Sequence, residues 1–238
     1  SFGTFLFQNG GQIYAEGGQA SALDKQEAIQ AFEQYTQLYK EYKLPVTFDF
    51  ANRFRSGEMP AAVMDYTMSN TLQIFAPEIR GLWDIAMVPG TVQPDGRVDR
   101  SVAGTGTGAM IIADTDHPEA SWAFLSWWTS DEIQETYGRG IENKLGASAR
   151  YPTANLAALS ELPWSLSLYT QLTKQMEWVD GMPEVPGGYF TGRHFNNAFR
   201  RVVYQGSNAR KTLIDYTRII NDEITEKRRE FGLLGGDA

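Results

Sequence analysis

Two long segments of the chain carry apolar side chains at helical spacing. The first opens with Asp24 and Glu27, a pair typical of a helix N-terminus, and stops before Pro45. Its apolar positions recur every three or four residues, as on the buried face of a helix. They are Ala28, Phe32, Tyr35, Leu38, Tyr39 and Tyr42. The second segment, residues 209–231, repeats the pattern and ends in a basic run that suits the C-terminal end of a helix.

Shorter apolar runs predict strands over residues 61–64, 83–88 and 109–113. Further helices are predicted over residues 50–55, 69–75, 116–128, 163–179 and 193–204. Because short strands are separated by helices, and several helices follow one another, the sequence predicts an α/β fold without a regular βαβ repeat. The glycine-rich run at residues 104–108 precedes a predicted strand rather than a helix, which argues against a dinucleotide-binding loop.

The composition is that of a globular protein, and it excludes several classes of site. Of the 238 residues, 42% are hydrophobic, which argues against disorder. The net charge of -8 argues against a nucleic-acid partner held through phosphate contacts. The absence of cysteine excludes disulfides, thiolate nucleophiles and cysteine-built zinc sites. Neither H-E-x-x-H nor G-x-S-x-G is present, and we predict no metal site and no cofactor.

Neither a membrane span nor an export signal is visible in the sequence. No apolar run approaches the roughly 20 residues that a membrane helix needs. The first residues, Ser1-Phe2-Gly3, lack the basic and apolar regions of a signal peptide. Because the chain also starts without Met, we expect a processed chain or a fragment of a longer protein.

Five parts of the sequence, taken in order, carry a family resemblance. They are residues 5–11 with the Asp24 helix, residues 54–65, residues 106–130, residues 183–200, and the final helix. In this order they resemble the sugar-binding members of the bacterial extracellular solute-binding proteins, the maltose-binding-protein-like family, across nearly the whole chain. The resemblance implies the type II periplasmic-binding-protein fold, in which two α/β lobes close on a ligand.

The resemblance also implies how the chain divides between the lobes. Residues 1–90 and 146–238 would form the C-terminal, ligand-binding lobe, and residues 91–145 would belong to the partner lobe. The N-terminal stretch of the partner lobe, with its share of the ligand site, would be missing. The chain would then hold mainly the C-terminal lobe and a segment of the N-terminal lobe.

By the same resemblance, ligand contacts come from two places in this sequence. The first holds Asp65, Tyr66 and Ser69, after a predicted strand. The second is a loop and helix start that carries Tyr189, Phe190, Arg193, His194 and Asn197. Sugars present apolar C–H faces and hydroxyls, so a site needs aromatic platforms and side chains that form several hydrogen bonds. We expect Asp65 to accept from hydroxyls, and Arg193 and Asn197 to donate.

Each of these residues also has a structural interpretation. Asp65 could cap the helix that follows it. The rings of Tyr189 and Phe190 could simply pack in the core. Arg193 could pair with Glu184.

The family resemblance predicts a binding protein rather than an enzyme. It would bind a sugar or oligosaccharide in a cleft between lobes and deliver it to the permease of an ABC importer. Two alternatives stay open. The same fold could bind a non-sugar ligand such as a peptide or a polyamine, or the chain could be a carbohydrate-active enzyme with Asp65 and Glu184 as acid and base.

The expected partners are the sugar and the ABC permease subunits, with no nucleic acid, and we expect a monomer. The expected location is extracellular, either periplasmic or at the cell surface as a lipoprotein. Contact with the membrane would then occur only through a lipid anchor or the permease.

Overall fold

The computed structural model describes residues 1–104 and 106–234. In chain order the helices are α1 (Phe2–Gln8), α2 (Gln26–Lys40), α3 (Phe50–Arg55), α4 (Met68–Phe75), α5 (Pro118–Trp128), α6 (Asp131–Leu145), α7 (Leu156–Glu161), α8 (Leu166–Met176), α9 (Gly188–Gln205) and α10 (Ala209–Glu230). Short 3-10 turns cover Glu16–Gly18, Pro77–Ile79 and Ala147–Ala149. The strands are β1 (Thr91–Val92), β2 (Val98–Asp99), β3 (Val102–Gly104) and β4 (Val179–Gly181).

The strands form two small pairs. β1 and β2 run antiparallel, with Thr91 opposite Asp99. β3 and β4 run parallel, with Val102 opposite Val179 and Gly104 opposite Gly181. The chain is therefore α/β, as predicted, with helices predominating.

The chain divides into two compact units. Unit 1 comprises Ser1–Thr47, Pro89–Thr105 and Trp178–Ala238, and unit 2 comprises Phe48–Val88 and Gly106–Glu177. These boundaries differ from the predicted lobe ranges 1–90, 91–145 and 146–238. At its N-terminal end, unit 1 holds residues 1–47 rather than the predicted 1–90. It also includes the strands near residue 100, which were predicted to belong to the partner lobe. The assignment of residues to lobes stays a prediction.

Unit 1 has a well-formed core where α2, α9 and α10 pack together with α1. Its fully buried side chains include Leu6, Phe32, Val202, Leu213, Ile220 and Ile224. Aromatic rings fill the space beside α1: Phe2 stacks on Phe195 at 4.3 Å between ring centroids, and Phe32 meets the same ring edge-on at 5.4 Å. This core fixes the position of α9, which carries five of the predicted site residues.

Gln8, the last residue of α1, ties residues 89–101 to this core. Its buried side-chain amide donates to the carbonyls of Pro89 and Ser101, both at 3.1 Å. Its side-chain oxygen accepts from the Thr91 hydroxyl at 2.9 Å. Because backbone carbonyls buried without a donor are costly, the Gln8 side chain stabilises this loop by donating to two of its carbonyls. This is why residues 89–104 belong to the same unit as α2.

We expect Gln8→Ala to lower the free energy of unfolding of unit 1 by about 2 kcal/mol, since it removes three part-buried hydrogen bonds. Amide hydrogen exchange should accelerate at residues 89–101 before it changes in α10. The exposed Gln30→Ala on α2 is the matched control and should be neutral. Unchanged exchange at residues 89–101 in the Gln8 variant would show that Gln8 does not hold this loop.

Unit 2 buries less. One cluster consists of Phe50, Leu72 and Ala76, with Phe54, Met68 and Trp83 packed against it. Ala158 and Leu159 of α7 and Leu162, which directly follows it, are also buried. A polar bridge joins α6 to the loop before α7, where the Thr153 hydroxyl donates to the side-chain oxygen of Gln134 at 2.8 Å.

The long helical predictions are confirmed, with corrections at their ends. α10 begins at Ala209, as predicted. α2 begins at Gln26, and its N-cap is Lys25 without a side-chain capping bond, so the predicted cap by Asp24 is wrong. α9 begins at Gly188, five residues before the predicted start, because Gly187 turns the chain in the left-handed region with φ 82°.

The three predicted strands are wrong. Residues 61–64, 83–88 and 109–113 form no strand in the described part of the chain. A strand needs a neighbouring backbone to satisfy its N–H and C=O groups. None of the described residues pairs with these runs as a ladder. Of the glycine-rich run before residue 109, Gly104 ends β3, and Thr105 lies outside the described residues.

Candidate functional site

The predicted site residues fall into two groups, one in each unit. Asp65, Tyr66 and Ser69 lie in unit 2, and the group from Tyr189 to Asn197 lies on α9 in unit 1. Each group has its own local geometry.

In unit 2, Asp65 is exposed at the end of the irregular segment that leads to α4. α4 begins with Thr67 as its N-cap, and no side chain caps it. The backbone carbonyl of Asp65 accepts from Met68 N–H at 2.9 Å, but its carboxylate does not take the capping role. The carboxylate is therefore free of that structural task and accessible to a ligand.

Tyr66 belongs to a cluster with Trp164, Arg150 and Glu142, which we call the Tyr66 cluster. The Tyr66 ring meets the Trp164 ring edge-on at 6.0 Å. The guanidinium carbon of Arg150 lies 4.6 Å from the centre of the Trp164 ring. Two nitrogens of Arg150 donate to the two carboxylate oxygens of Glu142, at 2.8 and 2.5 Å.

The electrostatics of the Tyr66 cluster keep its tyrosine protonated. Burial, and secondarily the nearby Tyr151, raises the pKa of Tyr66 to about 12. At neutral pH the Tyr66 hydroxyl is therefore a neutral group that both donates and accepts. The charge of Arg150 is compensated by Glu142, and its guanidinium lies over the aromatic face of Trp164.

Ser69 and Asn70 are placed differently from Asp65. Ser69 is buried, and its hydroxyl donates to the Tyr66 carbonyl at 2.7 Å. Asn70 is also buried and donates to the Arg150 carbonyl at 3.3 Å. Ser69 thus closes the first turn of α4 rather than presenting its hydroxyl outward.

In unit 1, close packing fixes the start of α9. Gly187 lies so near α10 that a Cβ on it would meet the Cα of Ile224 at 2.8 Å. One turn into α9, the buried Thr191 shares a 2.9 Å hydrogen bond with the Tyr14 hydroxyl. Burial raises the pKa of Tyr14, with Glu184 adding to the rise while the Thr191 bond opposes it.

The first turns of α9 present the exposed residues Tyr189, Arg193 and Asn197 beside the half-buried Phe190, and we call these four residues the Tyr189 surface. The Arg193 guanidinium donates to the Tyr189 hydroxyl at 3.1 Å. It also lies over both rings, 5.3 Å from the centre of Tyr189 and 5.5 Å from that of Phe190. Tyr189 is 74% exposed, so core packing does not account for it.

The Tyr189 surface follows from helical spacing. Residues 189, 193 and 197 are four apart and share one face of α9. Arg193 and Asn197 are exposed on that face. The ion pair of Arg193 with Glu184, an alternative from the sequence, is not among the salt bridges of the described residues. The structure thus brings four of the five predicted α9 residues together.

His194 is the exception on α9, because its ring packs against α10. Its Nε2 is 3.8 Å from a carboxylate oxygen of Glu223, and its ring centre is 6.3 Å from that of Tyr216. Both ring nitrogens are buried, with no hydrogen-bond partner among the described residues. His194 therefore lies in the α9–α10 interface.

Sequence reasoning missed Arg150, Glu142 and Trp164. They lie 76 or more positions from Tyr66 along the chain, and no periodic pattern links residues so far apart. The one local signal is the Pro163-Trp164 step before α8, where an aromatic residue directly precedes a helix.

The described residues contain no group of three or more His, Asp or Glu side chains placed to hold a metal ion. Within the same residues, no helix is both long enough and apolar enough to cross a bilayer. The predicted site residues expose an aromatic face on Tyr189, a guanidinium on Arg193, an amide on Asn197 and a carboxylate on Asp65. These groups suit a ligand with hydroxyls and C–H faces.

Solved structures share the fold of this chain. The sugar-binding protein MalE from the phytopathogen Xanthomonas citri matches with a TM-score of 0.75 and 17% identity, over 99% of this chain and 59% of that chain. An ABC transporter solute-binding protein from Thermotoga lettingae, bound with alpha-D-tagatose, matches with a TM-score of 0.69 and 15% identity, over 94% of this chain and 55% of that one. An ABC substrate-binding protein from Listeria monocytogenes, in complex with cycloalternan, matches with a TM-score of 0.56 and 16% identity, over 94% of this chain and 56% of that chain.

These likenesses establish a type II periplasmic-binding-protein fold. This chain spans a little over half the length of each of these neighbours. Curated protein sequences give no match. The sequence pattern that defines the bacterial extracellular solute-binding proteins matches residues 2–135, more than half of the 238 residues. The chain belongs to the bacterial extracellular solute-binding protein family.

Proposed function

We propose that this chain is part of the sugar-binding component of an ABC importer, and that the Tyr189 surface contacts the sugar. The observation that carries the proposal is the exposed stack of Arg193 on Tyr189 and Phe190. Family membership and the named neighbours, all of which are binding proteins, support the transport role. Delivery to a permease, and a location outside the cytoplasmic membrane, are part of the same proposal.

The chemistry of the Tyr189 surface suits a sugar. An aromatic face covers the C–H face of a pyranose ring, and a guanidinium or an amide donates to neighbouring hydroxyls. Arg193 is held by the Tyr189 hydroxyl, so its donors are already ordered before a ligand arrives. In unit 2, Asp65 offers a carboxylate, and Tyr66 a neutral hydroxyl, for the same kind of ligand.

A sugar fits the Tyr189 surface better than a polyamine does. The guanidinium of Arg193 is exposed on this surface and would repel a polycation. A sugar carries no charge and can use the same guanidinium as a donor. Ser69 and His194 enter this proposal only as packing residues, because their polar atoms are engaged or buried.

We expect Arg193→Ala and Tyr189→Ala in the complete gene product each to weaken sugar binding about 10-fold or more, because each removes a contact worth at least ~1.4 kcal/mol. Binding is measured by calorimetric titration with the sugar that binds best. Thermal unfolding should be nearly unchanged, since both side chains are exposed.

The matched control is Tyr204→Ala. Tyr204 is 61% exposed in the last turn of the same helix, away from the Tyr189 surface. Its replacement should leave affinity unchanged. Wild-type affinity in both the Tyr189 and Arg193 variants would remove this surface from the site.

A further inference from the structure

A long stretch of this acidic chain contains no acidic residue. The protein has 29 Asp and Glu residues and a net charge of -8, yet no Asp or Glu lies between Glu184 and Asp215. The stretch covers all of α9, the turn after it and the start of α10. It carries five arginine and lysine residues. Charge of one sign is therefore concentrated there, in a protein whose remainder is net negative.

Four of these cations lie at one end of the α9–α10 hairpin, which we call the hairpin end. They are Arg200, Arg201, Arg210 and Lys211. All four residues are exposed. Because α9 ends at Gln205 and α10 begins at Ala209, the cations lie within about 8 Å of the connecting turn along the two helix axes. That distance is close to the screening length at physiological salt, so their potentials reinforce one another.

The cations of the hairpin end lack carboxylate partners. In the part of the chain that the structure describes, none of the four belongs to a salt bridge. At the other end of α10, by contrast, Lys227 pairs with Glu230 at 2.6 Å, and Arg229 pairs with Glu226 at 2.5 Å. Positive charge in the first turn of a helix also opposes the helix dipole, and α10 has no acidic residue there. Helix stability therefore does not explain the charges of the hairpin end.

An exposed aromatic ring lies among the cations. Tyr204 is 61% exposed. It follows Arg200 by four residues and Arg201 by three, so the three side chains share one face of α9. Tyrosine is enriched where proteins meet the headgroup layer of a membrane, because its ring is apolar and its hydroxyl is polar. The long arginine side chains suit the same layer, since their apolar stems can lie along it while their charges reach the phosphates.

We propose that the hairpin end is a contact surface for anionic phospholipid headgroups. A lipid layer accepts cations at any spacing, whereas a protein partner needs carboxylates placed opposite them. The exposed ring of Tyr204 also favours lipid. Because the remainder of the molecule is net negative, an anionic membrane attracts the hairpin end and repels the rest. The proposal is independent of sugar binding, and it adds a membrane contact that the sequence did not predict.

The test is cosedimentation of the complete gene product, prepared without any lipid modification, with vesicles of two compositions. One contains about 30% phosphatidylglycerol in phosphatidylcholine, and the other contains phosphatidylcholine alone. We expect binding to the anionic vesicles only. Binding should be lost when the salt concentration is raised from about 0.05 M to about 0.5 M, because salt screens the attraction.

Two double variants with the same change in net charge locate the contact. Arg200→Gln with Lys211→Gln should weaken binding to the anionic vesicles roughly 20-fold, since two cations no longer face the phosphates. Arg210 is left in place because it also donates to the Gln26 side chain of α2 at 3.2 Å. Lys227→Gln with Arg229→Gln is the matched control at the other end of α10, and it should bind like the wild type. Thermal unfolding checks that all variants are folded.

Single variants separate the hairpin end from the sugar site. Tyr204→Ala should weaken vesicle binding and leave sugar affinity unchanged, and Tyr189→Ala should do the reverse. Equal binding to both kinds of vesicle, or equal losses in the two double variants, overturns the proposal. Saturable binding to polyglutamate without binding to the anionic vesicles also overturns it, and would assign the hairpin end to an acidic protein instead.

Discussion

Replacing Glu142 with glutamine is expected to lower the free energy of unfolding by about 3 kcal/mol. The side chains of Glu142 and Arg150 are only 12% and 8% exposed, and they form a two-point ion pair. Glutamine has nearly the same shape, but it leaves the Arg150 charge buried without its counter-charge. The measurement is urea unfolding followed by tryptophan fluorescence, because Trp164 lies against Arg150.

The matched control is Glu135→Gln on the same helix. Glu135 pairs with Arg139 at 2.9 Å, but both side chains are substantially exposed. Exposed pairs contribute about 0–1 kcal/mol, so this variant should be close to wild type. Equal losses in the two variants would mean that burial of the Glu142–Arg150 pair does not stabilise unit 2.

Gly187→Ala should lower the free energy of unfolding of unit 1 by about 3 kcal/mol. Two effects combine. The residue adopts φ 82°, which disfavours any side chain, and the new Cβ would meet the Ile224 backbone at 2.8 Å and the Glu223 carbonyl at 2.9 Å. Backbone atoms of a helix cannot turn aside as a flexible side chain can, so α9 and α10 would have to separate.

Gly206→Ala separates the two effects. Gly206 ends α9 with φ 70°, and a Cβ there would have no neighbour within 4 Å. Only backbone strain applies, at about 1 kcal/mol. Chemical unfolding of both variants gives the comparison. A Gly187 variant no less stable than the Gly206 variant would show that α9 and α10 do not pack as closely as described.

The helices that could be predicted from sequence are those whose spacing is maintained over many turns. α10 and α2 show a long 3.6-residue period, and that period is a local property of the sequence. The strand predicted at residues 109–113, which the structure does not form, could not be judged in the same way. An apolar run predicts burial, but burial and pairing depend on a second backbone that the run itself does not specify.

In the candidate site, too, contacts within one helix differ from contacts between distant segments in how far the sequence predicts them. The family resemblance named Tyr189 and Arg193, and the structure places Arg193 over the ring of Tyr189 because α9 begins early enough for both residues to share one helical face. The same resemblance also placed His194 in the site, although its ring packs against α10. The contact of Arg150 with Trp164 arises from packing between distant segments, which helical spacing does not reveal.

Our central proposal is that the complete protein binds a sugar without changing it. Calorimetric titration of the complete gene product with a panel of sugars that includes α-D-tagatose and cycloalternan tests it most directly, with spermidine and a mixed peptide library as the non-sugar arms. We expect one saturable site for at least one sugar, with a Kd of about 1 µM or tighter, and the same sugar recovered intact. Saturable binding of spermidine or peptides with no response to any sugar, or conversion of the sugar to a product, would contradict the account.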